Sequence, residues 1–351
     1  MINHSIAGLP VKGKTLPCVD ALKLVFAILI MCLHGNLLKN STWGVWVEGL
    51  LARLAVPFFF VASGFFLGRK VYSDRTTADS AIKVYATRLA VKLLIFEPIS
   101  VILQTIKLVA TDTPAHITFL KIIRSILFYP AGALWYIQAV IVAALLAWPL
   151  IKRNREWLGF AIGVALYAFA LLANRYYFLI EDTQFAGFVN IYMSCFVSAR
   201  NGVFVGLMYL CTGLIIAKNW DNIANYKKQF RWVTLLCWLL LIVEFAFVKD
   251  KHGIDDKALY VTHVLLIPAL FISAGQIESI GIRDTKTMRN LSTSIYLLHS
   301  PVLEVLGNGY KVLLGNELMP WILVAVSGLL ILAFCYIVYK NKIEPVYDWI
   351  R

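Results

Sequence analysis

Apolar runs of about twenty residues recur along almost the whole chain, separated by short polar stretches. A bilayer core asks for roughly 20 such residues per helix. On that measure ten candidate spans stand out, at 18–38, 49–68, 89–110, 131–151, 157–178, 202–217, 232–248, 258–274, 292–313 and 320–340. Hydropathy alone also accommodates nine or eleven. The 49–68 run carries Arg53 and Pro57, so it is expected to begin as an irregular or interfacial stretch. The pattern predicts an all-α, polytopic membrane helix bundle: one membrane domain over 18–340 between tails at 1–17 and 341–351.

Composition sharpens this. The chain is 60% hydrophobic with mean hydropathy +0.74, beyond what a soluble core of this length needs. Its net charge of +13 sits in clusters between apolar runs, with no basic stripe interleaved with aromatics, so nucleic acid is not the expected partner. With the N-terminus inside, about 22 Lys and Arg fall on the cytoplasmic side and about 11 outside, which puts both termini in the cytoplasm. The expected location is the cytoplasmic membrane, crossed many times. About seventeen polar or mixed residues precede the first span with no small-residue cleavage site after it, so no cleavable signal is expected. Six cysteines form no CxxC pair and read as small hydrophobes, with no metal expected. No internal repeat is evident by eye.

The candidate chemistry starts in the first span, where Lys23 and His34 are eleven residues apart. On a helix that spacing sets both on one face, within about 20° and roughly 16 Å along the axis. Ionisable residues at membrane depth are costly and default to a functional reading. His34 then serves as a base and Lys23 meets an anionic ligand, with Asp20 one turn before Lys23 able to pair with it. The packing alternative has Lys23 snorkelling and His34 making a helix–helix hydrogen bond.

Four further elements carry polar or aromatic groups. In Arg53-Leu-Ala-Val-Pro57-Phe-Phe-Phe-Val-Ala-Ser63-Gly64, Pro57 frees backbone groups that a cavity can satisfy. Ser63-Gly64 offers a small surface for close helix contact, a stronger reading than a catalytic Ser63. Leu134-Trp135-Tyr136 fits interface anchors or a stacking site. Ser198-Ala-Arg200-Asn201-Gly202 fits an anion or polyol contact, or an ordinary helix start. Tyr296 and His299 share a helix face beside Pro301. His263 and Glu244 are additional buried polar candidates. Two short patterns decide nothing: Gly8 to Thr15 fits a phosphate loop without the strand and sheet that motif needs, and Asn40-Ser-Thr42 fits a glycosylation sequon.

Together these elements resemble the integral-membrane acyltransferase family 3 of O-acyltransferases. That family carries Arg-x10-His in its first span, Pro-Phe-Phe-x-x-Ser-Gly-Phe in its second, a Leu-Trp-Tyr/Phe element and a late Tyr-Leu-x-His. Here they correspond to Lys23 with His34, Pro57 to Phe66, Leu134 to Tyr136, and Tyr296 to His299. The resemblance implies a cytoplasmic acyl-CoA donor such as acetyl-CoA, used as co-substrate, and no bound cofactor. It also implies a hydroxyl acceptor on a cell-envelope glycan, and a bacterial source. His34 would be the catalytic base or the group passing the acyl unit, Lys23 would orient the donor and Asp20 would hold Lys23. Substrate contacts would come from Arg53, Ser63, Trp135, Tyr136, Arg200, Asn201, Tyr296 and His299. One departure matters: Lys23 stands where the family has Arg, which keeps the charge and loses the bidentate fork.

The Arg200-Asn201-Gly202 and Tyr296 to Pro301 stretches are also similar to the membrane half of vancomycin-resistance serine racemases, a half linked to serine uptake. No soluble racemase half is read in these residues, so racemisation is not expected. Transport of a small polar solute such as serine is the rival expectation, and an inert scaffold a third.

Overall fold

A computed structural model describes residues 15–39, 41–255, 258–282, 284–343 and 346, with Arg75 described for its backbone alone. The phosphate-loop-like run up to Lys14, Asn40 of the sequon and most of both tails lie outside the described residues.

Among the described residues the chain is helical and has no strand. Helix α1 (Pro17–His34) opens with Pro17 at a position whose amide a helix does not use, and stops at His34. Helix α2 (Thr42–Leu50) is capped by Ser41, which accepts from the Gly44 amide at 3.1 Å. A 3-10 turn at Ala52–Leu54 runs straight into α3 (Ala55–Ser73). Pro57 lies in the first turn of α3, where its missing amide costs nothing, so it starts this helix instead of breaking it. The irregular beginning expected for this run is the turn at Leu51 with the 3-10 segment after it.

Next come α4 (Ala78–Ala110) and α5 (Ala115–Phe128). A 3-10 turn (Gly132–Leu134) then leads into α6 (Trp135–Lys152). Helices α7 (Glu156–Leu172) and α8 (Gln184–Phe196) follow. A π-helical turn (Gly202–Gly206) continues as α9 (Leu207–Lys218). The last five are α10 (Trp220–Ala224), α11 (Lys227–Val248), α12 (His263–Gly275), α13 (Thr285–Leu314) and α14 (Pro320–Asn341).

Among the described residues six helical stretches are long and apolar enough to cross a membrane, and three further apolar helices are shorter. Every run in the expected set of ten falls on one of these helices or on α13, which is long but polar. Helices α5 and α8 were not among the expected spans.

Helix α9 sits at the centre, with every residue from Leu207 to Ala217 buried. That fits a helix apolar on all sides. It meets α3 at backbone distance: a Cβ on Gly64 would lie 2.1 Å from the Leu210 carbonyl oxygen, and one on Gly213 2.2 Å from that of Val61. Close approach therefore requires glycine on both helices. The periphery is apolar outward, with Leu94, Leu120, Val243 and Leu329 exposed as lipid-facing residues should be.

Polar ties fix the ends of the bundle. The buried carboxylate of Glu156 accepts from Lys218 Nζ and from the Tyr72 hydroxyl, both at 2.8 Å, joining α7, α9 and α3. Asp79 accepts from Trp148 Nε1 at 2.7 Å and from Lys152 Nζ at 2.8 Å, joining α4 to α6. Glu244 accepts from the amides of Val261 at 2.6 Å and Thr262 at 2.9 Å, and from the Tyr176 hydroxyl, so it anchors the approach to α12. His263 is fully buried, with neither ring nitrogen hydrogen-bonded among the described residues, its ring 4.9 Å from Tyr260. Neither Glu244 nor His263 is among the residues lining the cavities described below.

Candidate active site: two cavities and an aromatic wall

The pair Lys23 and His34 is on one helix as expected, but the two residues open into different cavities. The His34 cavity, of about 310 Å³, is bordered by His34 at the very end of α1, by Arg53 and Pro57, and by Trp135, Arg200 and Tyr296. His34 is therefore at the far end of the first span from Lys23, its ring open to this cavity.

The two guanidinium groups are not naked charges. Arg53 pairs with Glu48, and Arg200 binds Asp255 through Nε at 3.1 Å. Ser198 Oγ donates to the same Asp255 oxygen at 2.6 Å. The Arg200 guanidinium lies 5.3 Å from the Trp135 ring centre and 5.9 Å from that of Tyr129. Tyr129 and Trp135 stack, with centroids 5.5 Å apart and planes at 9°. Arg200, Trp135 and Tyr129 thus form one cation–aromatic cluster at the edge of the cavity.

Behind His34 stands His299. The two ring centroids are 5.2 Å apart. His299 is fully buried, and its Nδ1 lies 2.9 Å from the Ile295 carbonyl oxygen, one helical turn back. A carbonyl only accepts, so Nδ1 carries the proton and Nε2 keeps its lone pair. That nitrogen is buried with no hydrogen-bond partner among the described residues.

The Lys23 cavity, of about 270 Å³, is bordered by Lys23, Lys92 and Tyr85, by Ser63 and Tyr136, and again by Tyr296. The Lys23 ammonium lies 6.0 Å from the Phe66 ring centre. Ser63 Oγ and the Tyr136 hydroxyl are 3.1 Å apart. The expected clasp of Lys23 by Asp20 is not made. Asp20, fully buried, accepts from Thr285 Oγ1 at 3.1 Å and so joins α1 to α13.

Tyr296 belongs to both cavities and is the wall between them. Its hydroxyl donates to the Ala133 carbonyl. Phe59 and Tyr136 back its ring, at 6.0 Å and 5.5 Å between centroids. Trp135 and Tyr136, adjacent in sequence, face one cavity each, because a helix turns about 100° per residue.

Asn201 borders neither cavity. Its Oδ1 accepts from the Val203 and Phe204 amides at 3.0 and 3.1 Å, capping the π-helical turn before α9. This is the ordinary helix start, and Arg200 alone of that pair reaches the cavity. Sequence reasoning missed Tyr85 and Lys92, which stand at helical spacing on α4, and also Tyr129 and Asp255. The basic residues of α4 read there only as a topology signal.

The acyltransferase family 3 profile, described as an acyltransferase domain, matches residues 16–340. An amino-acid racemase of Enterococcus faecalis is 27% identical over 266 residues, covering 74% of this chain and 35% of the relative. A serine/alanine racemase of Enterococcus gallinarum is 25% identical over 295 residues, covering 80% of this chain and 40% of the relative. The chain thus spans well under half the length of these relatives. No solved structure matches it.

Proposed function

The chain belongs to acyltransferase family 3, a multi-pass membrane protein family, and from that premise we propose that it carries an acyl group between the two cavities. The donor is acyl-CoA, with acetyl-CoA the simplest case, received at the Lys23 cavity from the cytoplasm. The acceptor is a hydroxyl, on a cell-envelope glycan or a smaller polar molecule, received at the His34 cavity. The proposal includes ten crossings with both termini cytoplasmic, in a bacterial cell membrane.

One observation carries this reading: two largely apolar cavities at opposite ends of α1, each with a few charged and polar groups in its lining, meet at the ring of Tyr296. Lys23 and Lys92 supply positive charge for CoA phosphates. His34, supported by His299, takes the acceptor proton. The freed oxygen attacks the thioester carbonyl, a C–O bond forms, the C–S bond breaks, and His34 returns the proton to the CoA sulfur. For the thioester to reach His34 the Tyr296 ring must swing aside.

A second reading shares the same geometry. Cavities on both sides of a thin wall also suit stepwise passage of a small polar solute, and the name of the Enterococcus gallinarum relative points to serine and alanine. Radiolabelled acetyl-CoA, supplied to the protein in liposomes with an envelope-glycan extract, separates the two. Label entering protein or glycan with His34 intact, and lost in His34→Ala, supports transfer. Accumulation of labelled serine without any acyl product supports passage and overturns transfer.

A further inference from the structure

A third cavity, of about 380 Å³, lies between α4, α5 and α13 and borders the His34 cavity, with Tyr129 and Gly132 common to both. Its polar lining includes Ser100, Gln104, Lys107, Lys121, Arg124 and Glu304. Three cations against one carboxylate select an anion. Gln104 adds a buried amide oxygen with no hydrogen-bond partner among the described residues, an acceptor waiting for a hydroxyl or amine.

The setting shows where that anion comes from. Helix α5 is amphipathic. Phe119, Leu120, Ile126 and Leu127 are exposed on one face, while Thr118 and Ser125 are buried on the other. Lys121 and Arg124 lie toward the buried side and reach the cavity. At 14 residues α5 is about 21 Å long, short of a bilayer, and its apolar face has lipid as its natural neighbour. On α4, Ile102, Ile106 and Val109 are exposed beside Lys107, giving acyl chains a greasy track below a cationic seat.

The chain enters this region under strain. Val197, which borders the cavity, has φ +70° and ψ −48°, and the Ser198 amide reaches back to the Phe196 carbonyl at 2.8 Å. This is the rare γ-turn, unfavourable for a β-branched residue. It directs the chain so that Val197 borders the third cavity and Arg200 the His34 cavity.

We propose that the third cavity seats the phosphate group of an anionic membrane lipid, with its acyl chains along α4 and α5. A headgroup hydroxyl then points at Gln104 or toward the Tyr129 boundary with His34. The seat does not depend on acyl transfer, so either idea can fail alone.

The test uses purified full-length protein and native mass spectrometry, with phosphatidylglycerol and phosphatidylcholine offered at equal concentration. Phosphatidylglycerol should be retained preferentially. Lys107→Gln with Lys121→Gln should weaken that retention roughly thirty-fold, at about fivefold per cation. Among the described residues neither lysine is in an ion pair, so folding should be spared. Glu304→Gln should strengthen retention, a gain that misfolding cannot imitate. Lys152→Gln, at the Asp79 tie, should change nothing. Equal retention of both lipids, or unchanged retention in the double lysine variant, overturns the proposal. So does displacement of phosphatidylglycerol by an equal concentration of inorganic phosphate or glycerol phosphate, which would assign the cavity to a free anion.

Discussion

The His299 ring stands 5.2 Å from that of His34, centre to centre, with its Nδ1 committed to the Ile295 carbonyl. The second imidazole is thus held in one tautomer behind the first. Two imidazolium ions this close would repel, so a proton taken up by His34 disfavours a second one on His299.

His34→Ala should lower acyl transfer by about 10²–10⁴-fold, the ordinary worth of a positioned general base. His299→Ala should cost less and act through His34. Its signature is an altered pH profile of kcat in single-turnover assays, with KM for acyl-CoA unchanged. Identical pH profiles for native protein and His299→Ala would reduce His299 to packing.

Asp20 offers a contrast, because its partner is Thr285 and not Lys23. Thr285→Val should remove one buried hydrogen bond and leave the carboxylate without a side-chain donor among the described residues, costing about 1–3 kcal/mol. A fall in Tm with the transfer rate per folded molecule preserved is the expected result. Loss of transfer without loss of stability would restore a direct role for Asp20 at Lys23.

Much of this arrangement was legible from the sequence, and what was not has a physical reason. Helical spacing correctly puts Lys23 and His34 on one face of α1. That they open to different cavities depends on Tyr296 from α13, Phe59 from α3 and Tyr136 from α6. Interhelical packing of this kind leaves no periodic trace in any one segment. Asn201 was misleading for a related reason: a side chain that caps a turn and one that binds a polyol need the same amide. Gly64 was legible, since small residues mark close crossings, but its counterpart Gly213 only shows itself in the packed bundle.

The tie at Glu156 is a stability element. Lys218→Met should leave a carboxylate that is only 1% exposed with the Tyr72 hydroxyl as its remaining side-chain donor. Lys218 itself is a third exposed, so solvent tempers the loss to on the order of 1–3 kcal/mol. Glu156→Gln with Lys218→Met should recover part of it, as measured by Tm in detergent.

At the start of α13, Asp284 accepts from Thr287 Oγ1 at 2.7 Å and from the Lys286 amide at 3.0 Å. The Thr287 hydroxyl, then the Lys286 amide, hold its carboxyl below the usual aspartate range. A depressed folded pKa means stability that is fully present above the ordinary aspartate pKa and lost as pH falls through the folded value. Asp284→Ala should therefore lower Tm at neutral pH, and the gap from native protein should close in acid. A gap independent of pH would show that the cap contributes no charge-dependent stability.

The last expectation concerns the wall. Tyr296→Phe removes the hydrogen bond to the Ala133 carbonyl and leaves the ring between the cavities. Tyr296→Ala removes the ring that, alone among the described residues, borders both spaces, and so should open a passage between them past Phe59 and Tyr136. If the wall keeps the thioester from the acceptor side until the acceptor is seated, the alanine variant should hydrolyse acyl-CoA without acceptor. The phenylalanine variant should stay coupled, transferring somewhat more slowly or faster according to how tightly the hydroxyl pins the ring. Acceptor-independent CoA release, followed with a thiol reagent, reads this directly. Release no higher in Tyr296→Ala than in native protein, from a variant that still transfers, would mean that Tyr296 is not the barrier.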